Sequence, residues 1–269
     1  KSLYEGLAAK GIYYAISDEP VLEEIRQIGK MLFYDPVLSG NNQRSCASCH
    51  KPTELFADTT AAASLQFNRK DRLARNTRTL ANVIYNHLVN ADGKYFSLQS
   101  QANDVITNPQ EMGGDPEAVL QKVLSIAQYK TAFRKFARLT PYNKTISLAH
   151  ITSAITLYYA DFSRHYSPFD RAFNEQQPVG PDVRNGFNLF MGKAGCGTCH
   201  FVPGFNGVKP PYTNSEFEVL GTPEDPGMRS ISPDKGRYGF HPATETMNAF
   251  RTGTIRNTPF TAPYMHNGV

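Results

Sequence analysis

All four cysteines of this 269-residue sequence fall in two copies of one short pattern, Ser45-Cys46-Ala47-Ser48-Cys49-His50 and Gly195-Cys196-Gly197-Thr198-Cys199-His200. No thiol is left for a disulfide framework or a separate thiolate metal site. Cys-x-x-Cys-His is the attachment signature of c-type haem. Two thiols three residues apart on a tight turn can each add across one vinyl group of the porphyrin, and the histidine that follows is held under the iron. A single Cys-x-x-Cys would also suit a redox dithiol or a zinc knuckle. Two copies that both end in histidine and use up the cysteines favour haem. The expectation is two covalent c-type haems, one on Cys46, Cys49 and His50, the other on Cys196, Cys199 and His200.

Helices have to hold these stretches. Glu19-Pro20 after Ser17-Asp18 reads as a helix start, and Val21, Leu22, Ile25, Ile28 and Leu32 keep helical spacing up to Tyr34-Asp35-Pro36, where proline disfavours helix. Helices are also expected over Pro116–Ala127 with Asp115 as cap, over Tyr129–Leu139, over Ser147–Tyr166, and over Val183–Met191 with Asp182 as cap. Phe187, Leu189 and Phe190 of the last are expected against the second haem. Between His50 and Arg75 only Asp58–Leu65 has a helical pattern. Beyond His200 the prolines and glycines exclude long helices and central strands.

The fold class expected is all-α, with long irregular loops. The length suffices for two small cores, and there is one attachment stretch in each half. The division expected is 1–165 and 166–269, with the boundary near Ser163 to Gly180, where Gln176-Gln177-Pro178-Val179-Gly180-Pro181 forms a linker.

Hydrophobic residues are 40% of the sequence and charged residues 19%, with a formal net charge of +4. There is no dense Lys/Arg block to favour nucleic acid and no apolar run long enough to span a membrane. Covalent haem attachment takes place outside the bacterial cytoplasm, so a periplasmic, exported protein is expected, with any signal peptide removed ahead of Lys1.

The run Ile28-Gly29-Lys30-Met31-Leu32-Phe33-Tyr34-Asp35-Pro36-Val37-Leu38-Ser39-Gly40 and the first haem stretch resemble the opening of the bacterial di-haem cytochrome c peroxidases. Arg75-Asn76-Thr77, Asn108-Pro109-Gln110-Glu111-Met112-Gly113, Ser167-Pro168-Phe169-Asp170, Gly192-Lys193-Ala194-Gly195-Cys196 and Ala262-Pro263-Tyr264-Met265-His266-Asn267-Gly268 resemble later blocks of that family, in the same order. The resemblance implies two cytochrome c-like domains. The first haem would be the peroxidatic centre, and the second a relay fed by a small cytochrome c or cupredoxin. A calcium ion would lie between them, with Asn76 among its ligands. A homodimer is compatible with the family. The same superfamily includes the methylamine-utilisation di-haem enzyme, which oxidises a partner protein.

By the same resemblance Met247 is the sixth ligand of the second iron, Glu111 the distal acid–base group beside the first, and Gln101 its neighbour in the pocket. Reduction of peroxide requires a group that takes a proton from one oxygen and returns it to the leaving one, and a part-buried carboxylate suits that task. Two departures stand out. Many of these peroxidases block the first iron with a histidine from the loop before the Arg-Asn block; here that loop reads Leu65-Gln66-Phe67-Asn68, and no histidine lies between His50 and His87. A first haem that needs no reductive activation is therefore expected. The family tryptophan between the haems is also missing, Ala91 preceding Asp92-Gly93, and Tyr95 is the nearest aromatic substitute. A peroxidase, an oxidase of the methylamine-utilisation type and a plain di-haem electron carrier all remain open.

Overall fold

The computed structural model describes residues 19–140, 144–163 and 165–269. The cap expected at Ser17 or Asp18 lies outside the described residues. The first helix, α1 (Glu19–Tyr34), stops where expected. Asp35 then caps a single 3-10 turn, Pro36–Leu38, its carboxylate accepting from the Val37 N–H at 2.9 Å.

Four more helices complete the first half: α2 (Leu98–Thr107), α3 (Pro116–Ser125), α4 (Ala127–Leu139) and α5 (Leu148–Ala160). Periodicity does not announce α2, because only Leu98 and Ile106 of its ten residues are buried. It is set instead by its cap, where the Ser97 hydroxyl accepts from the Ser100 N–H at 3.1 Å. Asp115 caps α3 as expected, accepting from Ala118 N–H at 2.9 Å.

The central helix is α5, buried almost all round from His150 to Tyr159. Against it lies α1, bringing Leu32 and Phe33 to Ile151, Ala154 and Ile155. The two backbones come so close that a Cβ on Gly29 would stand 1.9 Å from the Ala154 carbonyl oxygen. Phe133 and Phe136 of α4 close the other side. The contiguous apolar cluster, with the residues packed on it, runs from Val21 to Phe162.

The later part of the chain is built differently. After α6 (Pro168–Glu175) and α7 (Pro181–Met191) it is almost entirely loop. Its one antiparallel pair, β1 (Phe217–Glu218) with β2 (Phe250–Arg251), is the only sheet among the described residues. No residue of α7 is buried, and Val183, Leu189 and Met191 face solvent. The fold is thus mostly helical with little sheet.

Four local expectations need correction. Asp58–Leu65 is not helical, because the Asp58 carboxylate gathers Lys51 Nζ, Thr60 and Ser64 at 2.6–2.7 Å and folds the chain around itself. The helix expected to run to Tyr166 stops at Ala160. Ser167-Pro168 opens α6 rather than ending a helix, since Ser167 and Asp170 form a reciprocal capping box. Finally, α7 starts at Pro181 with Gly180 as cap rather than Asp182, as suits a proline whose missing N–H costs nothing in the first turn.

Candidate functional site

Both cysteine stretches fold into the same object, a 3-10 turn over Cys46–Ser48 and another over Cys196–Thr198. In each, the histidine N–H reaches back to the carbonyl of the first cysteine, at 2.9 Å for His50 and 3.0 Å for His200. The turns are pinned locally, by the Ser48 hydroxyl accepting from Ser45 N–H at 3.0 Å and by the Thr198 hydroxyl donating to Gly195 O at 2.7 Å. All four thiols are free. Burial, with the neighbouring Cys49, pushes the Cys46 thiol up to about 12.

The imidazoles also match. His50 Nδ1 lies 2.9 Å from the Phe56 carbonyl and His200 Nδ1 lies 3.2 Å from the Phe205 carbonyl. A carbonyl can only accept, so Nδ1 carries the proton and Nε2 keeps its lone pair. Two thiols and an imidazole so prepared fit a c-type haem at both stretches.

Glu111 sits in the turn that follows α2. Its carboxylate accepts from Asn108 Nδ2 at 3.1 Å, and its main-chain carbonyl accepts from Arg44 Nη1 at 3.0 Å. Arg44 is itself buried, and its Nη2 donates to the Gln66 carbonyl at 2.7 Å. Burial first, then the charge of Asp104, raises the Glu111 pKa; Asn108, Arg44 and Lys94 oppose this. The Cys49 thiol feels the charges of both Arg44 and Glu111, so the carboxylate is within electrostatic reach of the first attachment stretch. Gln101 and Asp104 lie on α2 at a spacing that puts them on the side of Asn108.

The loop before Arg75 is fastened to this turn. Besides the Arg44 bond to Gln66, the Phe67 N–H donates to Gln110 O at 2.7 Å, and the Phe67 ring lies where a Cβ on Gly113 would fall, 2.8 Å away. Arg44, which links these parts, is a residue that sequence reasoning did not single out. Its signal was its place two residues before Cys46. A cleft of about 340 Å³ lined by Arg44, Lys51, Asp58, Arg69 and Arg72 opens beside Cys49.

Met247 follows the 3-10 turn Thr244–Thr246 and is half-buried. Asn76 lies on the seam between the halves, its main-chain N–H donating to His266 O at 2.7 Å and its side-chain amide to Ala62 O at 3.1 Å. No group of three or more His, Cys, Asp or Glu poised for a metal ion occurs among the described residues. A calcium ion here would have to rely on the Asn76 amide oxygen and main-chain carbonyls. Tyr95 pairs with Val89 just ahead of α2, and burial raises its pKa. No helix among the described residues is long and apolar enough to cross a membrane.

Comparison with known proteins agrees with this geometry. The family model for di-haem cytochrome c peroxidase matches residues 23–178. Over 93% of its length the chain is 32% identical to the methylamine utilization protein MauG of Methylorubrum extorquens, covering 66% of that protein. It is 31% identical, over 93% of its length, to the cytochrome c551 peroxidase of Pseudomonas aeruginosa, covering 69% of that protein. The chain thus spans about two thirds of the length of these relatives. Among solved structures, a MauG-like protein associated with microbial copper homeostasis superposes with a TM-score of 0.77 at 26% identity, over 91% of this chain and 73% of that one. The diheme peroxidase BthA of Burkholderia thailandensis shares the fold, with a TM-score of 0.72 at 21% identity over 91% of this chain and 68% of that one. With two matching Cys-x-x-Cys-His turns, imidazoles that present Nε2, and a family model that spans more than half of its length, the chain belongs to the di-haem cytochrome c peroxidase family.

Proposed function

We propose that the chain works as a di-haem peroxidase that reduces hydrogen peroxide to water. The observation that carries this reading is Glu111, a half-buried residue whose carboxylate accepts from Asn108 and whose main-chain carbonyl accepts from Arg44, within electrostatic reach of the Cys46–His50 stretch. Cys46, Cys49 and His50 would hold one haem, and Cys196, Cys199, His200 and Met247 the other, in domains 1–165 and 166–269. The haems, when bound, supply the electrons: reduction of one peroxide to two waters consumes two electrons and two protons.

The chain's own residues handle the protons. Glu111, ionised, takes a proton from one peroxide oxygen and returns it to the other as the O–O bond breaks and water leaves. Burial raises its pKa and brings its proton affinity nearer to that task. Asn108 orients the carboxylate, and Gln101 provides an amide on the same side of α2. The Leu65–Asn68 loop brings no histidine and is tied to the distal turn through Gln66 and Phe67. This supports activity without prior reduction.

A small cytochrome c or cupredoxin is the electron donor in this reading, and the setting is the periplasm. Asn76 is the protein side chain offered to a calcium ion between the domains. The similarity to MauG, as high as that to the peroxidase, favours one second reading: a di-haem oxidase that draws electrons from a protein partner.

The test is peroxide-dependent oxidation of a reduced cytochrome c by fully oxidised, haem-loaded protein. Turnover without a lag is expected. Protein with both haems and no peroxide turnover would sink the reading in favour of the oxidase or carrier.

A further inference from the structure

The seam between the halves carries more positive charge than its carboxylates neutralise. Arg75 donates to Asp92 Oδ2 at 2.6 Å and to the two oxygens of Asp234 at 2.7 and 3.0 Å, so one guanidinium occupies both acids. Arg237 beside it donates to the main-chain carbonyls of Asp92 and Gly93 and lies over the Phe217 ring. Two more arginines complete the group, Arg78 and Arg251, and neither has a carboxylate partner among the described residues.

Arg251 is 8% exposed. Its side chain donates to the Asn86 amide oxygen at 2.8 Å and the Asn90 carbonyl at 3.3 Å, both uncharged. Arg78 has a buried Nη1 with no hydrogen-bond partner, 3.3 Å from where a Cβ on Gly253 would stand. A buried guanidinium is ordinarily found with an anion, because desolvation penalises the bare charge. Here burial lowers both, with Arg75 adding to the effect on Arg78, and Arg78 to that on Arg251, leaving them at about 10 and about 9.

Their position supplies the missing anion. The Arg78 main chain lies against the His50 imidazole. Arg251 is in β2, paired with β1, whose Glu218 lies against the Cys199 thiol. The two guanidiniums feel each other's charge, and the segments that carry them adjoin the two cysteine stretches, Arg78 directly and Arg251 through β1. Each c-type haem carries two propionate carboxylates, and a guanidinium offers such a group a planar fork of donors.

We propose that Arg78 and Arg251 bind the haem propionates at the seam, placing both haem edges in one shared field of positive charge. The assignment rests on the two-haem reading of the chain. A cation held beside a haem favours the reduced iron, so both residues raise the midpoint potential of the haem they touch.

The experiment uses haem-loaded protein: wild type, R78Q, R251Q, R78K and R251K. For each, covalent haems per chain are counted, midpoint potentials are titrated, and the propionate-bending bands are recorded by resonance Raman spectroscopy. The Gln variants should keep two haems, lower at least one midpoint potential and shift a propionate band. The Lys variants should hold the potential closer to wild type but still shift the band, because an ammonium does not reproduce the fork. If the Gln variants fail to fold, the Lys variants decide: unmoved bands in both overturn the assignment. Two haems with wild-type potentials and bands in both Gln variants overturn it while leaving the di-haem reading intact. A wild-type chain without two covalent haems overturns both.

Discussion

Arg44 Nη1 donates to the main-chain carbonyl of Glu111 at 3.0 Å, across 67 positions of sequence. The same guanidinium holds the Gln66 carbonyl. One buried side chain thus joins the approach to the first cysteine pair, the loop before Arg75 and the turn bearing Glu111. Replacing Arg44 by Gln should cost about 2–3 kcal/mol of stability, the scale of lost charge-assisted hydrogen bonds. Peroxide turnover should fall while the haem count stays at two. Chemical denaturation and steady-state assays measure both, and wild-type values in both would show that the link does not position Glu111.

Glu111 itself should be indispensable to turnover and dispensable to haem binding. E111Q is expected to keep both haems and lose most peroxidase activity. The wild-type rate should fall as pH drops through a carboxylate pKa raised by burial and by Asp104, since protonation removes the base. D104N takes away the negative neighbour, so that acid limb should move to lower pH. An unmoved limb would mean that another group titrates.

Met247→Ala removes the proposed thioether from the second iron. One midpoint potential should drop and the other stay put, since a methionine ligand raises the potential of the iron it binds. A redox titration in which neither moves would exclude Met247 as ligand.

Another arginine, Arg256, fastens the later half. Arg256 holds both carboxylate oxygens of Asp170, at 3.0 and 2.5 Å, and the Pro203 carbonyl. Burial alone would raise the Asp170 pKa, but hydrogen bonds from Arg256 and Ser167 outweigh it and hold the group at about 2. Because the folded value is depressed, this stabilisation is complete above the ordinary carboxylate range and is lost as pH falls through about 2. Thermal unfolding should therefore show an acid loss of stability that R256Q abolishes. R256Q should itself cost about 3–5 kcal/mol near neutral pH, because it strands a buried carboxylate. A smaller acid dependence in wild type than in R256Q would contradict the sign.

The two Cys-x-x-Cys-His turns were legible in the sequence because they are local. Cys46 to His50 and Cys196 to His200 are runs of consecutive residues, and each folds into its 3-10 turn with hydrogen bonds made locally. The same holds for α1, α3 and α4, whose apolar spacing survives into buried faces, and for Asp115 as a cap. The family resemblance likewise rests on short ordered blocks, and the family model and the relatives agree with it.

What escaped the sequence was decided by contacts between distant residues. Arg44 reads as a solvated cation until Glu111 and Gln66 come to it. Asp170 is one residue of a short family-like block until Arg256 and the Ser167 cap are seen to hold it. Arg78 and Arg251 are two basic residues among 28 in the sequence, and only the fold strips them of water and of carboxylates at once. Spacing along the chain can prepare a ligand set, but burial and charge balance belong to the assembled molecule, because desolvation depends on everything packed around a group.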